Sequence, residues 1–279
     1  MRILDLFSGI GGFSYSAEKL VGIGETTQFV ENNTYCQQIL KKHWPHVPIH
    51  SDIRTFNGNT GEYDLLTGGF PCQDLSTGGK ERGLTKGTRS SLFYEVIRLL
   101  KEIKPRFLLL ENVKHLLHHN KGETFKEVLK QISESRYICE WNIVSCDSIQ
   151  GCHKRERIFI IAYPEHYGLP TTEGCPSDEQ PSTTETWTQK VVKFKRGSES
   201  NSSEDVQRVT SEWKSTRHLL NPDWKSYPVE STISRIDARI PDGLHKNRIV
   251  ALGNSVSPQV AAIPLTRIKE LNETFTTPT

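Results

Sequence analysis

The sequence predicts a doubly wound α/β sheet, and three observations carry that expectation. Over residues 1–163, short apolar or β-branched runs alternate with longer segments of helical periodicity, the pattern of a parallel sheet joined by crossover helices. Polar or special groups recur at the ends of these runs: a glycine loop, Glu31, Asp52, Cys72 and Glu111. In such sheets ligands sit outside the carboxyl ends of the strands, so five such groups in one structural position point to a site. The regular pattern stops at residue 164 and returns near residue 249, which reads as one ordered domain with a segment of different character inserted.

Taken in order, the strands are expected at Arg2–Phe7, Gln28–Glu31, Pro48–Ile53, Asp64–Gly68, Phe107–Glu111, Glu140–Ser145 and Arg157–Ala162, and the helices at Gly12–Leu20, Asn33–His43, Ser91–Ile103 and Thr124–Ser135. Leu92, Val96, Leu99 and Leu100 share one face of the third helix, as a period of 3.6 requires. Residues 164–233 are rich in Thr, Ser, Glu and Lys, and 195–207 is of low complexity. A Gly-Asn-Ser turn at 253–255 and a helical pattern ending near Leu271 close the chain.

Composition bounds the function. The 279 residues, 35% hydrophobic and 24% charged, allow one large domain or two smaller ones. A net charge of +2 does not by itself announce a nucleic-acid binder, so basic residues for that purpose must be clustered. Six cysteines without a CxxC pair read as reduced thiols of a cytoplasmic protein. No long apolar segment is present, so neither a signal peptide nor a membrane span is expected. The adjacent His118 and His119 lack ligand spacing, and no metal site is expected.

The first strand leads into Asp5-Leu6-Phe7-Ser8-Gly9-Ile10-Gly11-Gly12-Phe13. Strand, glycine loop and helix start make a nucleotide-type cradle, although a plain tight turn would also use these glycines. The phosphate-reading GxGxxG spacing and a Walker pattern are absent. Glu31 follows about 20 residues on, where an acid reaches ribose hydroxyls; it could equally cap the helix that follows. Asp52 ends the third run, placed to accept from an adenine amino group or to serve as a turn residue. Adenosine without pyrophosphate fits this set better than a dinucleotide.

Gly68-Gly69-Phe70-Pro71-Cys72-Gln73-Asp74-Leu75-Ser76 is the most informative stretch. Proline fixes its own backbone angle and drives the preceding residue to an extended form, so Cys72 is either presented on a constrained turn as a nucleophile or is a structural thiol of the core. The following segment, 74–90, carries four glycines, with Lys80, Arg82, Lys86 and Arg89 around the acid Glu81; a lid that meets phosphates has this composition, as does a solvated loop. Lys114, His115, His118, His119 and Lys121 form a further basic patch.

DLFSGIGGFS at 5–14, GGFPCQDLS at 68–76, ENV at 111–113, RERIFII at 155–161 and LGNSVSP at 252–258 resemble, in order and approximate spacing, the motifs of the DNA cytosine-5 methyltransferases. The resemblance covers 1–163 and about 245–271. It implies a Rossmann-like, S-adenosylmethionine-dependent methyltransferase domain, 1–163 plus 245–279, with a small irregular target-recognition lobe at 164–244. By the same resemblance, Cys72 is the nucleophile that adds to cytosine C6, Glu111 the acid at N3, Arg155 a contact to the target base and Arg157 its support. Phe7, Ser8, Gly9, Ile10, Gly11, Gly12, Glu31, Asp52, Ile53, Leu92, Asn254 and Ser255 are implied to hold S-adenosylmethionine. Ser76, Lys80, Arg82 and Arg89, with Lys193, Lys195 and Arg196 of the inserted lobe, are implied to meet double-stranded DNA, by a monomer without an obligate protein partner. His153 stands where the family has Gln, and the arginine-rich segment before the last motif is reduced to scattered Arg235, Arg239 and Arg248. No Asp/Asn-Pro-Pro-Tyr/Phe motif occurs, which disfavours amino-methylation. The same chemistry on tRNA, and a catalytically silent DNA-binding relative, are the alternative readings; intact Cys72, Glu111, Arg155 and Arg157 argue against the second.

Overall fold

The computed structural model describes residues 1–71, 91–146, 155–167, 190–192 and 242–276. Among the described residues, eight strands form one sheet in the order β3-β2-β1-β4-β5-β7-β6-β8. These are β1 Arg2–Leu6, β2 Glu25–Val30, β3 Ile49–His50, β4 Leu65–Gly69, β5 Phe107–Val113, β6 Tyr137–Ser145, β7 Glu156–Pro164 and β8 Lys190–Val192. β3, β2, β1, β4 and β5 run parallel; β7 lies antiparallel between β5 and β6, and β8 pairs antiparallel with β6 at the edge. The chain winds outward from β1 in one direction and from β4 in the other, so the topological switch point lies between β1 and β4, where this architecture opens a crevice.

Burial on both faces writes the apolar runs. Along β5, Leu108 and Leu110 enter one core while Phe107 and Leu109 enter the other. Along β7, Ile158, Ile160 and Ala162 alternate in the same way with Phe159, Ile161 and Tyr163. The first core is closed by α3 Ser91–Ile103 and α4 Glu123–Glu134, through Phe93, Val96, Leu99, Leu100, Val128 and Ile132. The second is closed by α1 Gly12–Tyr15, its π-helical continuation Ser16–Val21, and the long α6 Pro258–Thr276. On that face Arg267 pairs with the fully buried Glu140 at 3.1 Å, and the Tyr163 hydroxyl donates to the same carboxylate at 2.9 Å.

The observed elements depart from expectation in specific places. The first helix is α-helical only to Tyr15 and then widens, ending at Gly22 with φ +63°. The third strand shrinks to Ile49–His50 because the chain turns at Asp52, whose carbonyl accepts from the Thr55 and Phe56 amides. Asp52 therefore follows that strand instead of ending it. β5 continues past Glu111 to Val113, since its antiparallel partner β7 pairs through Val113↔Arg157. Gly253 and Asn254 belong to the end of α5, Asp242–Asn254, and the turn falls after them. α2, Thr34–His43, starts as expected, capped by the Asn33 side chain, which accepts from the Tyr35 and Cys36 amides.

Candidate active site

At the switch point β1 delivers Phe7 with φ +52°, a left-handed conformation that is uncommon for a residue with a side chain. Gly68 on β4 makes the bend possible: a Cβ there would stand 3.1 Å from the Leu6 carbonyl and 3.7 Å from the Phe7 ring. The loop that follows is tied from inside. The Ser8 hydroxyl donates to the Asp5 carbonyl at 2.6 Å, and the Gly11 amide donates back to the Ser8 carbonyl at 2.8 Å. Gly11, with φ +84°, lies against the Trp44 ring, which a Cβ would meet at 2.6 Å. Trp44 is held in turn by its indole N–H, which donates to Glu18 at 2.9 Å. Ile10 lies on the outer side of the loop and lines a small pocket with Tyr35, Ile39, Arg248, Ala251 and Leu252.

Glu31 fastens this loop to the neighbouring strand. One carboxylate oxygen accepts from the Gly9 amide at 2.7 Å and the other from the Asn33 amide at 2.8 Å. The side chain thus joins the glycine loop to the start of α2, while Asn33 does the helix capping. Phe7 and Leu92 pack, partly buried, on the core that contains Ile53 and Phe70. Asp52 is turned toward Arg54, accepting from its Nε at 2.9 Å; the Arg54 side chain holds the carboxyl below its ordinary range.

Beneath the loop sits Asp5, fully buried, accepting from the Ser14 hydroxyl at 2.7 Å and the Thr67 hydroxyl at 2.8 Å. It stitches β1 to α1 and to β4. Burial pushes its carboxyl up to about 7, the two hydroxyls offset part of that rise, and the charge of Glu31 adds to it. The sequence reading gave Asp5 no role. The only local signal is an acid inside an apolar strand, since Thr67 is 62 residues away.

The second half of the site lies on β5 and β7. Glu111 pairs with Arg157 Nε at 2.8 Å, and both side chains are largely buried. Burial raises the Glu111 carboxyl, while the charges of Arg157 and then Arg155 pull it back only in part. Gly69, opposite Glu111 in register, leaves room for the carboxylate; a Cβ there would lie 3.0 Å from Glu111 Oε2. The next residue, Asn112, is buried and donates to the Phe70 carbonyl at 2.8 Å. That bond fixes the exit of β4, and Pro71 and Cys72 follow directly in sequence.

Arg155 reaches elsewhere. Its Nη2 donates to the carbonyls of Gly253 at 2.7 Å and Ser255 at 2.8 Å. Burial, and then the neighbouring Arg157 charge, lower its basicity. On the far side of that turn, Val256 and Ser255 touch the first residue of α1: a Cβ on Gly12 would lie 2.6 Å from the Val256 carbonyl and 3.2 Å from Ser255 Oγ. Asn254 is exposed at the end of α5.

The structure therefore brings together the glycine loop, Glu31, Phe7, Ile53 and Leu92 on one side, and Glu111, Arg157 and the β4 exit on the other. Cys72, Ser76, Lys80, Arg82, Arg89, His153, Lys193, Lys195 and Arg196 lie outside the described residues. Among the described cysteines, Cys36, Cys139 and Cys146 are all buried, and burial beside Glu31 pushes the Cys36 thiol up to about 11; none has the profile of a nucleophile. Lys114, from the second basic patch, is engaged by Glu156 at 2.7 Å on the surface. Among the described residues no cluster fit for a metal is found, and no helix is long and apolar enough to cross a membrane.

Comparison with known proteins agrees with this arrangement. The chain is 35% identical over 166 residues to the type II methyltransferase M.DsaV of Dactylococcopsis salina, covering 59% of this chain and 46% of that protein. It is 32% identical over 164 residues to M.HhaI of Haemophilus parahaemolyticus (58% and 49%) and 33% identical over 175 residues to the orphan methyltransferase M.SPRI of Bacillus phage SPR (59% and 38%). The matched segments thus span about half or less of these relatives' length. The crystal structure of S. pombe Dnmt2 methyltransferase superposes with a TM-score of 0.57 over 99% of this chain and 100% of that one, at 16% identity, which shows a shared fold. The family described as C-5 cytosine-specific DNA methylase matches residues 1–249, and the chain belongs to that family.

Proposed function

We propose that this chain transfers the methyl group of S-adenosylmethionine to C5 of a cytosine flipped out of duplex DNA, through a covalent adduct with Cys72. The observation that carries the reading is the desolvated Glu111–Arg157 pair, set beside the β4 exit that Asn112 anchors immediately ahead of Cys72, in a chain of the cytosine-5 family.

Residues at the β1–β4 switch point support that choice of cofactor. Phe7, Ile53 and Leu92 belong to one apolar core and are proposed to face the base, while the loop offers Glu31 and backbone groups to a sugar and an amino acid rather than to a pyrophosphate. Glu31 keeps acceptor capacity after its two backbone bonds, because each carboxylate oxygen carries a second lone pair. Ser8 acts by holding the loop from inside, and Asp52 reaches the base edge only if Arg54 yields it. Bound there, S-adenosylmethionine would supply an electrophilic sulfonium methyl group for C5, with S-adenosylhomocysteine, a neutral thioether, as the leaving group.

The chain's own residues do the rest. The Cys72 thiolate adds to C6, and the ring electrons move toward C5, which becomes nucleophilic. Glu111, kept protonated more readily than an exposed glutamate, donates to N3 and eases that addition. Arg157 fixes the orientation of Glu111 and limits how far its proton affinity rises. After methyl transfer the C5 proton passes to solvent, the Cys72 thiolate is expelled and the N3 proton returns to the Glu111 carboxylate, which restores the ring. Extruding the base from the stack is what gives the thiolate access to C6.

Ser76, Lys80, Arg82 and Arg89 are proposed to meet the DNA backbone, and 164–244, with Lys193, Lys195 and Arg196, to read the target sequence. The protein is proposed to act as a cytoplasmic monomer. The description of the matching family, C-5 cytosine-specific DNA methylase, supports DNA as the substrate. Incubation with methyl-labelled S-adenosylmethionine and either duplex DNA or tRNA tests the reading. Label is expected in the DNA as 5-methylcytosine; label in tRNA alone, or in neither, overturns it.

A further inference from the structure

The turn between α5 and α6 is clasped from both sides. On one side the Arg155 guanidinium donates from a single nitrogen to two of its carbonyls, Gly253 and Ser255, across 98 and 100 residues of sequence. On the other side Val256 and Ser255 press on Gly12, so closely that the position has no room for a Cβ. Gly12 opens α1 directly behind Gly11, the residue that ends the loop tied to Glu31 through Gly9. Arg155 also stands immediately before β7, two residues ahead of Arg157, and Arg157 holds Glu111. Contacts thus run from Arg155 through the turn to Gly12 and the glycine loop, and the Arg155 charge acts on the Glu111 carboxyl held by Arg157.

We propose that Arg155 is a positioning residue that couples the base-handling half of the site to the cofactor-handling half, by holding the α5–α6 turn against Gly12. Two charge-assisted bonds from one guanidinium to backbone carbonyls make a stiff clamp. What the loop grips rests on the methyltransferase reading above; the mechanical link does not.

Hydrogen–deuterium exchange on the full chain without ligand tests the link. Arg155→Met is expected to speed exchange about tenfold both at 253–257 and at the amides of 9–15, a coupling of ordinary size, while β4 and β5 keep their protection. Arg155→Lys keeps a cation and should fall between wild type and Arg155→Met; it gives the same comparison if the methionine variant does not fold. Faster exchange at 253–257 with an unchanged glycine loop overturns the proposal, as does no change at either. Calorimetry with S-adenosylhomocysteine supplies the second readout: affinity should fall about tenfold in Arg155→Met and partly recover in Arg155→Lys, and unchanged affinity in a wild type that binds counts against the coupling. If the wild type itself fails to bind S-adenosylhomocysteine, the methyltransferase reading fails and the exchange result alone decides the link.

Discussion

Arg157 Nε stands 2.8 Å from Glu111 Oε1, with the two residues on adjacent antiparallel strands and both side chains largely withdrawn from water. A buried ion pair of this kind loses most when one partner is removed, because the other charge is left uncompensated, at a cost of about 3–5 kcal/mol. The pair also sets the proton affinity of Glu111, which burial raises and Arg157 restrains.

Arg157→Met should therefore raise the Glu111 carboxyl further. The sign follows from linkage: a carboxyl whose folded affinity exceeds its unfolded one binds more protons when folded, so its stabilising influence is present at low pH and fades as pH rises. The variant should melt close to wild type at acid pH and fall increasingly below it as pH rises from 4.5. Melting curves across pH check this; a constant offset would show that the pair does not control the carboxyl.

Asp5 makes the same argument without a cation. Its carboxyl titrates near 7 when folded, against 3.8 for an unperturbed aspartate, so the folded chain holds the extra proton between those values and loses stability as pH climbs through them. The slope is at most about 1.4 kcal/mol per pH unit. Asp5→Asn abolishes that titration, and its stability relative to wild type should rise from pH 4 to pH 7 and then level off. Parallel denaturation curves for the two proteins at all pH values would refute the assignment.

Asn112→Ala leaves the Phe70 carbonyl buried without its donor, worth about 1–3 kcal/mol of stability. More informative is the kinetic split. The exit of β4 carries Cys72, whereas the glycine loop is untouched, so turnover should drop at least tenfold while S-adenosylhomocysteine affinity stays within about twofold of wild type. Loss of both together would mean that Asn112 supports the fold at large.

Glu31→Ala releases two backbone amides at once, Gly9 and Asn33. Calorimetry should show S-adenosylhomocysteine affinity reduced by about 1–3 kcal/mol, with much of it restored in Glu31→Gln, which retains one acceptor. Equal affinity in Glu31→Ala and wild type would remove Glu31 from the cradle.

The sheet was legible because burial on both faces leaves unbroken apolar runs, as in Leu108–Leu110 and Ile158–Ala162. Glu31, Glu111 and the glycine loop stood out because each follows or closes such a run. The widening of the first helix after Tyr15 was not legible, since α and π turns draw on the same residues. Nor was the length of β3, which a turn at Asp52 decides. The Asp5–Thr67 bond depends on the β1–β4 register, and the Arg155–Ser255 bond on where α6 docks; neither leaves a periodic trace along the chain. Arg155 and Arg157 were visible as a pair, but only packing divides their work between the tail turn and Glu111.

The most direct measurement is trapping on duplex DNA in which 5-fluorocytosine replaces cytosine. Fluorine at C5 blocks the final elimination, so an enzyme that adds a cysteine to C6 stays attached. With S-adenosylmethionine present, the wild-type chain is expected to form a denaturant-resistant complex that maps to Cys72, and Cys72→Ala to form none while keeping its fold. An adduct undiminished in Cys72→Ala, or methylation of ordinary cytosine by that variant at the wild-type rate, would contradict the account.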